Sequence, residues 1–140
     1  MFKNKKSIFI FGLFLFFALG VLSVKITLKL PFLSGEKQMI TRGYNPDNLN
    51  NTSHVGKDIY ALDFAKNGCD SYGDYILTVE SGEVVRVDKG HNPNEYRSYG
   101  NQIIIEHKNG LLSRYAHLKD TFVEVGDDVV IGEKIGTMGN

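Results

Sequence analysis

The stretch Tyr99–Leu118, YGNQIIIEHKNGLLSRYAHL, holds the clearest fold signal in the chain. Two strand-like runs, Gln102–His107 and Leu111–Leu118, flank an Asn-Gly pair at positions 109 and 110. Asn-Gly between two such runs is a strong hairpin signal, because a type I′ turn needs positive φ at both of its central residues. The stretch therefore predicts an antiparallel β-hairpin.

Short strand-like runs separated by turn residues continue on both sides of this hairpin. No segment beyond residue 25 shows the 3.6-residue spacing and the caps of a helix. Many short strands at close spacing predict an all-β fold, here an antiparallel β-sheet core or sandwich. Tyr75–Val79 and Glu83–Val87 are predicted to pair as a hairpin through Ser81-Gly82. The other predicted strands are Met39–Arg42, Asp58–Phe64, Phe122–Val125, Val129–Ile131 and Lys134–Thr137.

Residues 1–25 carry a targeting signal. Three lysines, at positions 3, 5 and 6, precede an apolar run without charge that ends at Val24. Basic residues before such a run orient the amino end toward the cytoplasm and the rest of the chain outward. The run predicts an N-terminal hydrophobic helix that serves as a membrane anchor. Ala18-x-Gly20 also fits the cleavage site of a signal peptide, which would leave a secreted or periplasmic protein; we favour the anchor.

The remainder divides into a linker at 26–34 and one β domain at 35–140. Residues 26–140 hold 12 basic and 16 acidic side chains, because four of the lysines lie in 1–25. This acidic body lacks the clustered Lys and Arg of a nucleic-acid interface, so we expect no nucleic-acid partner. Cys69 is the single cysteine of the chain, which excludes an internal disulfide.

Asp63 is a carboxylate inside an apolar strand-like run, nine residues after His54. Alternation along that run places Tyr60, Leu62 and Phe64 on one face and Asp63 on the other. An imidazole nitrogen and a carboxylate oxygen are both good zinc ligands. The spacing alone favours the plainer alternative, in which His54 is a surface loop residue and Asp63 is held by backbone donors.

The positions of the other three histidines are predicted from the residues around them. Alternation from Leu111 places Tyr115 and His117 on one face, so His117 can point into a shared cleft. The alternative is a partly buried His117 bonded to a backbone carbonyl, with Tyr115 as a packed aromatic. His107 is interpreted as structural or solvent-facing, and His91 as a surface loop residue.

A succession of motifs runs from about Gly35 to Asn140: GYN, then a His, YALDF, SGEVVRV, YGNQIIIEHKNGLLSRYAHL and VEVGDDVVIGEKIGTMGN. This order resembles the lysostaphin/LytM-type zinc endopeptidases that cut peptidoglycan peptides. The resemblance implies a β-sheet core of hybrid-motif hairpins with a groove. It also implies peptidoglycan peptides as partners and Zn²⁺ as the cofactor.

The resemblance assigns His54 and Asp63 as zinc ligands and His117, of YAHL, as a nearby catalytic histidine. The gap between the two ligands exceeds the three-residue gap common in the family and is similar to a longer-spaced subgroup with YALDF-like strands. The family's third ligand lies in a His-x-His motif, and this sequence has none. Catalytic zinc typically needs three protein ligands and a water. Whether His91 or His107 replaces the missing ligand is open.

Three hypotheses follow. The first is an exported, membrane-tethered zinc endopeptidase acting on peptidoglycan cross-links, with this chain truncated before the His-x-His motif and therefore inactive as it stands. The second is a non-catalytic relative that binds cell-wall peptides or regulates another cell-wall hydrolase. The third is a biotinyl- or lipoyl-like carrier, to which VEVGDDVVIGEKIGTMG is similar, although no lysine stands at Thr137-Met138. The sequence thus leaves the enzyme assignment uncertain.

Overall fold

Short β-strands build the part of the chain that the computed structural model describes, residues 26–44, 54–66, 71–90 and 99–139. A 3₁₀ turn covers Gly56–Asp58. The strands are β1 Met39–Arg42, β2 Asp63–Ala65, β3 Tyr75–Leu77, β4 Gly82–Asp88, β5 Asn101–His107, β6 Leu112–Thr121, β7 Asp128–Val129 and β8 Lys134–Met138. This confirms the all-β class. The predicted N-terminal helix lies outside the described residues, and within them no helix is long and apolar enough to cross a membrane.

The strands form two antiparallel sheets. One pairs β1 with β2, and the other has six strands in the order β3-β8-β6-β5-β4-β7. One face of the larger sheet carries the apolar core, because alternate residues of its strands point to the same side. The core side chains are Ile76, Val84, Ile103, Ile105, Tyr115, Leu118, Val123, Val129 and Ile135.

The predicted hairpin is confirmed as β5 and β6, although its turn differs from the expected type. Gly110 has φ 77°, while Asn109 is not among the residues with positive φ. The His107 N–H donates to the Leu111 carbonyl at 2.9 Å, which closes a three-residue loop. Such loops combine an ordinary turn with one left-handed residue, and Gly110 takes that place. Asn109 instead accepts the Leu111 N–H with its side chain.

The predicted hairpin between residues 75–79 and 83–87 is wrong. β3 pairs with β8 at one edge of the sheet, whereas β4 pairs with β5 and β7 toward the other edge. Ser81-Gly82 does not reverse the chain, because four antiparallel pairings separate β3 from β4 and the two strands run in the same direction. Gly82 lies against the backbone of Glu106, where a Cβ would clash with the carbonyl oxygen. The glycine therefore permits the close approach of β4 to β5 and makes no turn.

The strand predicted over 58–64 is also wrong in its first half. Residues 56–60 turn, with the Asp58 N–H bonded to the Val55 carbonyl and the Ala61 N–H to the Asp58 carbonyl. The strand begins only at Asp63. Local turn hydrogen bonds thus replace the ladder that the alternation suggested. Asp63 consequently stands at the start of a strand, where a turn meets the sheet.

The segment predicted as a linker, 26–34, covers the outer edge of β3. The Lys29 N–H donates to the Val79 carbonyl and the Leu77 N–H to the Pro31 carbonyl, each at 2.9 Å. An uncovered strand edge is a template for pairing with other chains. Proline fits this outer position because it lacks an N–H to donate.

Candidate functional site

His54 places both ring nitrogens against oxygen atoms. Its side chain is buried, and its backbone takes a left-handed φ of 53°. Nδ1 lies 2.9 Å from the carbonyl oxygen of Gly43, which directly follows β1. Nε2 lies 3.0 Å from Oδ1 of Asp63. The ring therefore bridges the end of β1 and the start of β2.

Asp63 is held by the pairing of β1 with β2. It stands opposite Arg42 in the ladder, and the Arg42 guanidinium lies 4.0 Å from its Oδ2. The Asp63 side chain is 47% exposed. One carboxylate oxygen thus faces the His54 ring, and the other faces a cation and solvent.

The contacts of His54 suit a bound cation. A backbone carbonyl and an ionised carboxylate only accept hydrogen bonds, and a neutral imidazole has one N–H to offer. A neutral ring can donate to only one of these two oxygens, so Nε2 and the Asp63 carboxylate could together hold a cation. Metal-binding histidines commonly donate their other N–H to a carbonyl, as Nδ1 is placed to do toward Gly43. His54 and Asp63 therefore fit two ligand positions of a zinc site.

A third ligand is not present in the described part of the chain. Across residues 26–44, 54–66, 71–90 and 99–139, no group of three or more His, Cys, Asp or Glu side chains is arranged to hold a metal. The His107 side chain is buried and makes two other contacts. Its Nδ1 lies 3.0 Å from the Ser81 carbonyl oxygen, and its Nε2 lies 2.9 Å from the Ser113 hydroxyl. The structural interpretation of His107 is thus confirmed. His91 lies outside the described residues.

His117 occupies a β-bulge in β6. Asn101 pairs with Leu118 and Ile103 pairs with Tyr115, so two residues of β6 stand opposite one residue of β5. His117 has φ 55°, one of two non-glycine residues with positive φ in the described segments. Its N–H donates to the Tyr99 carbonyl at 2.7 Å, and its carbonyl accepts from Gly139 at 2.9 Å. The bulge is therefore fixed on both sides.

The bulge overturns the prediction that Tyr115 and His117 share a face. Tyr115 and Leu118 are both buried in the core, while His117 is exposed. A bulge inserts one residue and so reverses the alternation beyond it. Tyr115 is a packed aromatic, and its hydroxyl accepts the Val79 N–H at 2.8 Å. His117 is thereby released from the core and presented to solvent.

Asp58 is a carboxylate that the sequence interpretation passed over, although it stands at the three-residue gap from His54 that is common in the family. The structure turns this carboxylate toward the large sheet. Its Oδ2 accepts from the Tyr99 hydroxyl at 2.5 Å, and its Oδ1 lies 3.4 Å from Arg114. In the structure the His54 ring contacts Asp63, while Asp58 contacts Tyr99 and Arg114.

The left-handed backbone of His117 predicts a stability gain on substitution by glycine. A non-glycine residue at this φ costs about 1–3 kcal/mol, which glycine avoids. We expect His117→Gly to have a free energy of unfolding about 1 kcal/mol above that of His117→Ala. Urea unfolding of the two variants measures the difference, since both lack the imidazole. Equal stability of the two variants would contradict the left-handed bulge.

Comparison with known proteins identifies the family of the chain. The family model described as Peptidase family M23 matches residues 57–140, more than half of the chain. A protein of Buchnera aphidicola named "Uncharacterized metalloprotease" is 32% identical over 121 residues, which are 86% of this chain and 29% of that protein. The murein hydrolase activator NlpD of Escherichia coli is 40% identical over 70 residues, 50% of this chain and 17% of NlpD.

The chain thus spans less than a third of the length of these two relatives. A shorter relative, named lipoprotein NlpD, of Yersinia enterocolitica, is 37% identical over 70 residues, 50% of this chain and 67% of that protein. The family match includes Asp63 and His117, and the strand content agrees with it. The chain belongs to peptidase family M23, the LytM-type family that its motifs predicted.

Proposed function

We propose that this protein is an outward-facing M23 domain that binds peptidoglycan peptides and holds zinc through His54 and Asp63. The observation that carries the proposal is the position of the His54 ring between two oxygen acceptors. The domain would be tethered through residues 1–25 or released by their cleavage. Relatives whose names include lipoprotein and murein hydrolase activator support a place at the cell envelope.

The proposal gives each side chain a separate task. Asp63 and His54 would hold the cation, and the Gly43 carbonyl, which lies 2.9 Å from Nδ1, would fix the His54 ring. Zinc, when bound, polarises a peptide carbonyl and lowers the pKa of water. His117 presents an exposed imidazole that would accept or donate a proton in a site completed by a further ligand. Arg42 moderates the negative charge of Asp63 from the opposite strand.

The ligand number limits what the 140-residue chain does by itself. Two protein ligands are fewer than the three that catalytic zinc sites typically use. We therefore expect this chain to bind zinc weakly and to leave cross-link peptides uncut. A complete reaction needs a further protein ligand that the described residues do not supply.

A calorimetric titration of the full chain with zinc, in detergent micelles, tests the proposal. We expect one weak site per chain that the His54→Ala variant loses. A peptidase assay with added zinc should show no turnover. Turnover that disappears in His54→Ala would overturn the expected inactivity, and an absence of any His54-dependent zinc binding would overturn the metal site. The His91→Ala variant decides whether His91 serves as a third ligand.

A second function is supported by the relatives named murein hydrolase activator. In that function the domain binds a cell-wall peptide or another hydrolase without metal. This second function predicts that the protein binds isolated peptidoglycan, and that neither a chelator nor His54→Ala changes this binding. Sedimentation with peptidoglycan, with and without chelator, separates the two functions.

A further inference from the structure

The segment 26–34 is fixed to the sheet directly after the apolar run of the N-terminus. The Lys29 N–H donates to the Val79 carbonyl, and the Leu77 N–H donates to the Pro31 carbonyl. Two such bonds, with one residue of the segment between them, are the pattern of an antiparallel pair. The segment therefore acts as an added edge strand and is held close to β3.

The side chains that this segment leaves in solvent are apolar. Ile26, Leu28 and Leu30 are 45%, 58% and 64% exposed. They stand at alternate positions, so in an extended segment they share one side. The intervening Lys29 side chain lies against Gly132 on another side. Single exposed leucines are common, but three in a row on one side of an edge form an apolar row that indicates a binding surface.

The apolar row lies close to the proposed membrane anchor in the sequence. The uncharged run ends at Val24, and Lys25 alone separates it from Ile26. An extended chain spans at most about 3.6 Å per residue, so Lys29, which is bonded to β3, lies within about 18 Å of Val24. The headgroup layer on each side of a bilayer is itself about 5–8 Å thick. A chain anchored through residues 1–25 therefore holds the edge of β3 at the membrane surface.

The charges around the apolar row complement an anionic lipid surface. Residues 25–34 contain Lys25 and Lys29 and no acid, although residues 26–140 as a whole are acidic. Lysines beside a membrane are attracted to anionic headgroups. Tyr75 of β3 is 41% exposed, and the Lys134 Nζ lies 3.7 Å from the centre of its ring. Tyrosine and lysine suit headgroup depth, because their apolar parts reach toward the acyl chains while their polar ends stay in water.

We propose that the apolar row docks this domain on the outer surface of the membrane, with Ile26, Leu28 and Leu30 between the headgroups and the acyl chains. The docking rests on the proposed function, in which residues 1–25 anchor the chain. Segments that lie in this interface bury their apolar side about 5–10 Å deep. A domain of about 100 residues has a radius of gyration of about 13 Å, so the docked domain reaches only peptidoglycan peptides within about 40 Å of the membrane.

Tryptophan fluorescence of the full chain in lipid vesicles tests the docking. The chain has no tryptophan, so one introduced residue reports from a known position. The vesicles contain phosphatidylcholine and phosphatidylglycerol, with or without bromine on the upper acyl-chain carbons. Bromine quenches a tryptophan that contacts those carbons. We expect the fluorescence of Leu30→Trp, and separately of Leu28→Trp, to be at least about twofold lower in the brominated vesicles.

The Leu112→Trp variant is the matched control for Leu30→Trp. Leu112 and Leu30 are both leucines with 64% exposure. Leu112 lies about 20 Å along β6 from Leu118, where the pairing of β6 with β8 begins. Its fluorescence should be the same in both kinds of vesicle. If Leu112→Trp is quenched as strongly as Leu30→Trp, bromine reaches any exposed position and the docking of this edge is overturned.

An alkaline carbonate wash separates failure of the docking from failure of the proposed tether. If the vesicles retain the chain and neither Leu28→Trp nor Leu30→Trp is quenched, the docking is overturned while the anchor stands. If the wash releases the chain, the anchor and the docking both fail. If the unquenched emission moves to shorter wavelength as the protein-to-lipid ratio rises, the apolar row binds a second copy of this chain, which also overturns the docking.

Discussion

The substitution Asp63→Asn should lower zinc affinity at least about 100-fold, because it exchanges an anionic ligand for a neutral amide at a site with few ligands. His54 then remains as the one strong donor of the pair. Calorimetric titration of the full chain measures the change. The effect is large because only two protein ligands are proposed, so the variant removes one of the two side chains that bind zinc.

The same variant should leave the metal-free fold intact. An asparagine can donate an amide N–H to His54 Nε2, while Nδ1 still donates to Gly43. The free energy of unfolding without metal should therefore stay within about 0.5 kcal/mol of the parent or rise above it. Zinc stabilises the parent by mass action and should not stabilise the variant. Thermal unfolding with and without zinc compares the two directly.

The Asp128→Asn variant is the matched control for Asp63→Asn. Asp128 is an exposed carboxylate on the short edge strand β7, and it has the same chemistry without a histidine contact among the described side chains. Its zinc affinity should equal that of the parent. If the two variants lose affinity equally, zinc binds through general surface charge and the assignment of Asp63 is wrong. If Asp63→Asn is unfolded without metal, the contact between His54 and Asp63 serves to stabilise the fold instead.

The sequence predicts those parts of this fold that depend on local chemistry. Asn-Gly places the hairpin, and the turns at Gly126 and Gly132 stand where their positive φ is needed. The strand β1 was also predicted with its observed bounds. The hairpin and the two glycine turns follow from residue types whose backbone preference is short-ranged.

Long-range pairing decides the parts that the sequence did not predict. Ser81-Gly82 has the composition of a hairpin turn, yet Gly82 serves close contact with the Glu106 backbone. The His117 bulge likewise depends on neighbours from other segments, Tyr99 and Gly139, that hold its backbone. Histidine is enriched among non-glycine residues with positive φ, but such residues are uncommon, so YAHL by itself does not predict the bulge. The His117 imidazole is exposed because the hydrogen bonds to Tyr99 and Gly139 hold the bulge.

The three consecutive isoleucines in QIIIEH are a second case in which the local sequence does not predict the structure. A continuous apolar run has no alternation, so the buried face cannot be chosen from it. The structure buries Ile103 and Ile105 completely, at 0% exposure, and leaves Ile104 partly exposed between Arg86 and Arg114. A slip of one residue would exchange these faces. Burial of Ile103 and Ile105 therefore requires a single register of β5.

Substitution of these isoleucines by alanine should reveal the register. Ile105→Ala leaves a cavity beside Val84 and should lower the free energy of unfolding by about 2–5 kcal/mol. Ile104→Ala removes the same atoms from the partly exposed face and should cost about 1 kcal/mol. Urea unfolding of the two variants measures the contrast. Equal costs, or a larger cost at Ile104, would place the core on the other face of β5, and the neighbours assigned to Arg114 would then be wrong.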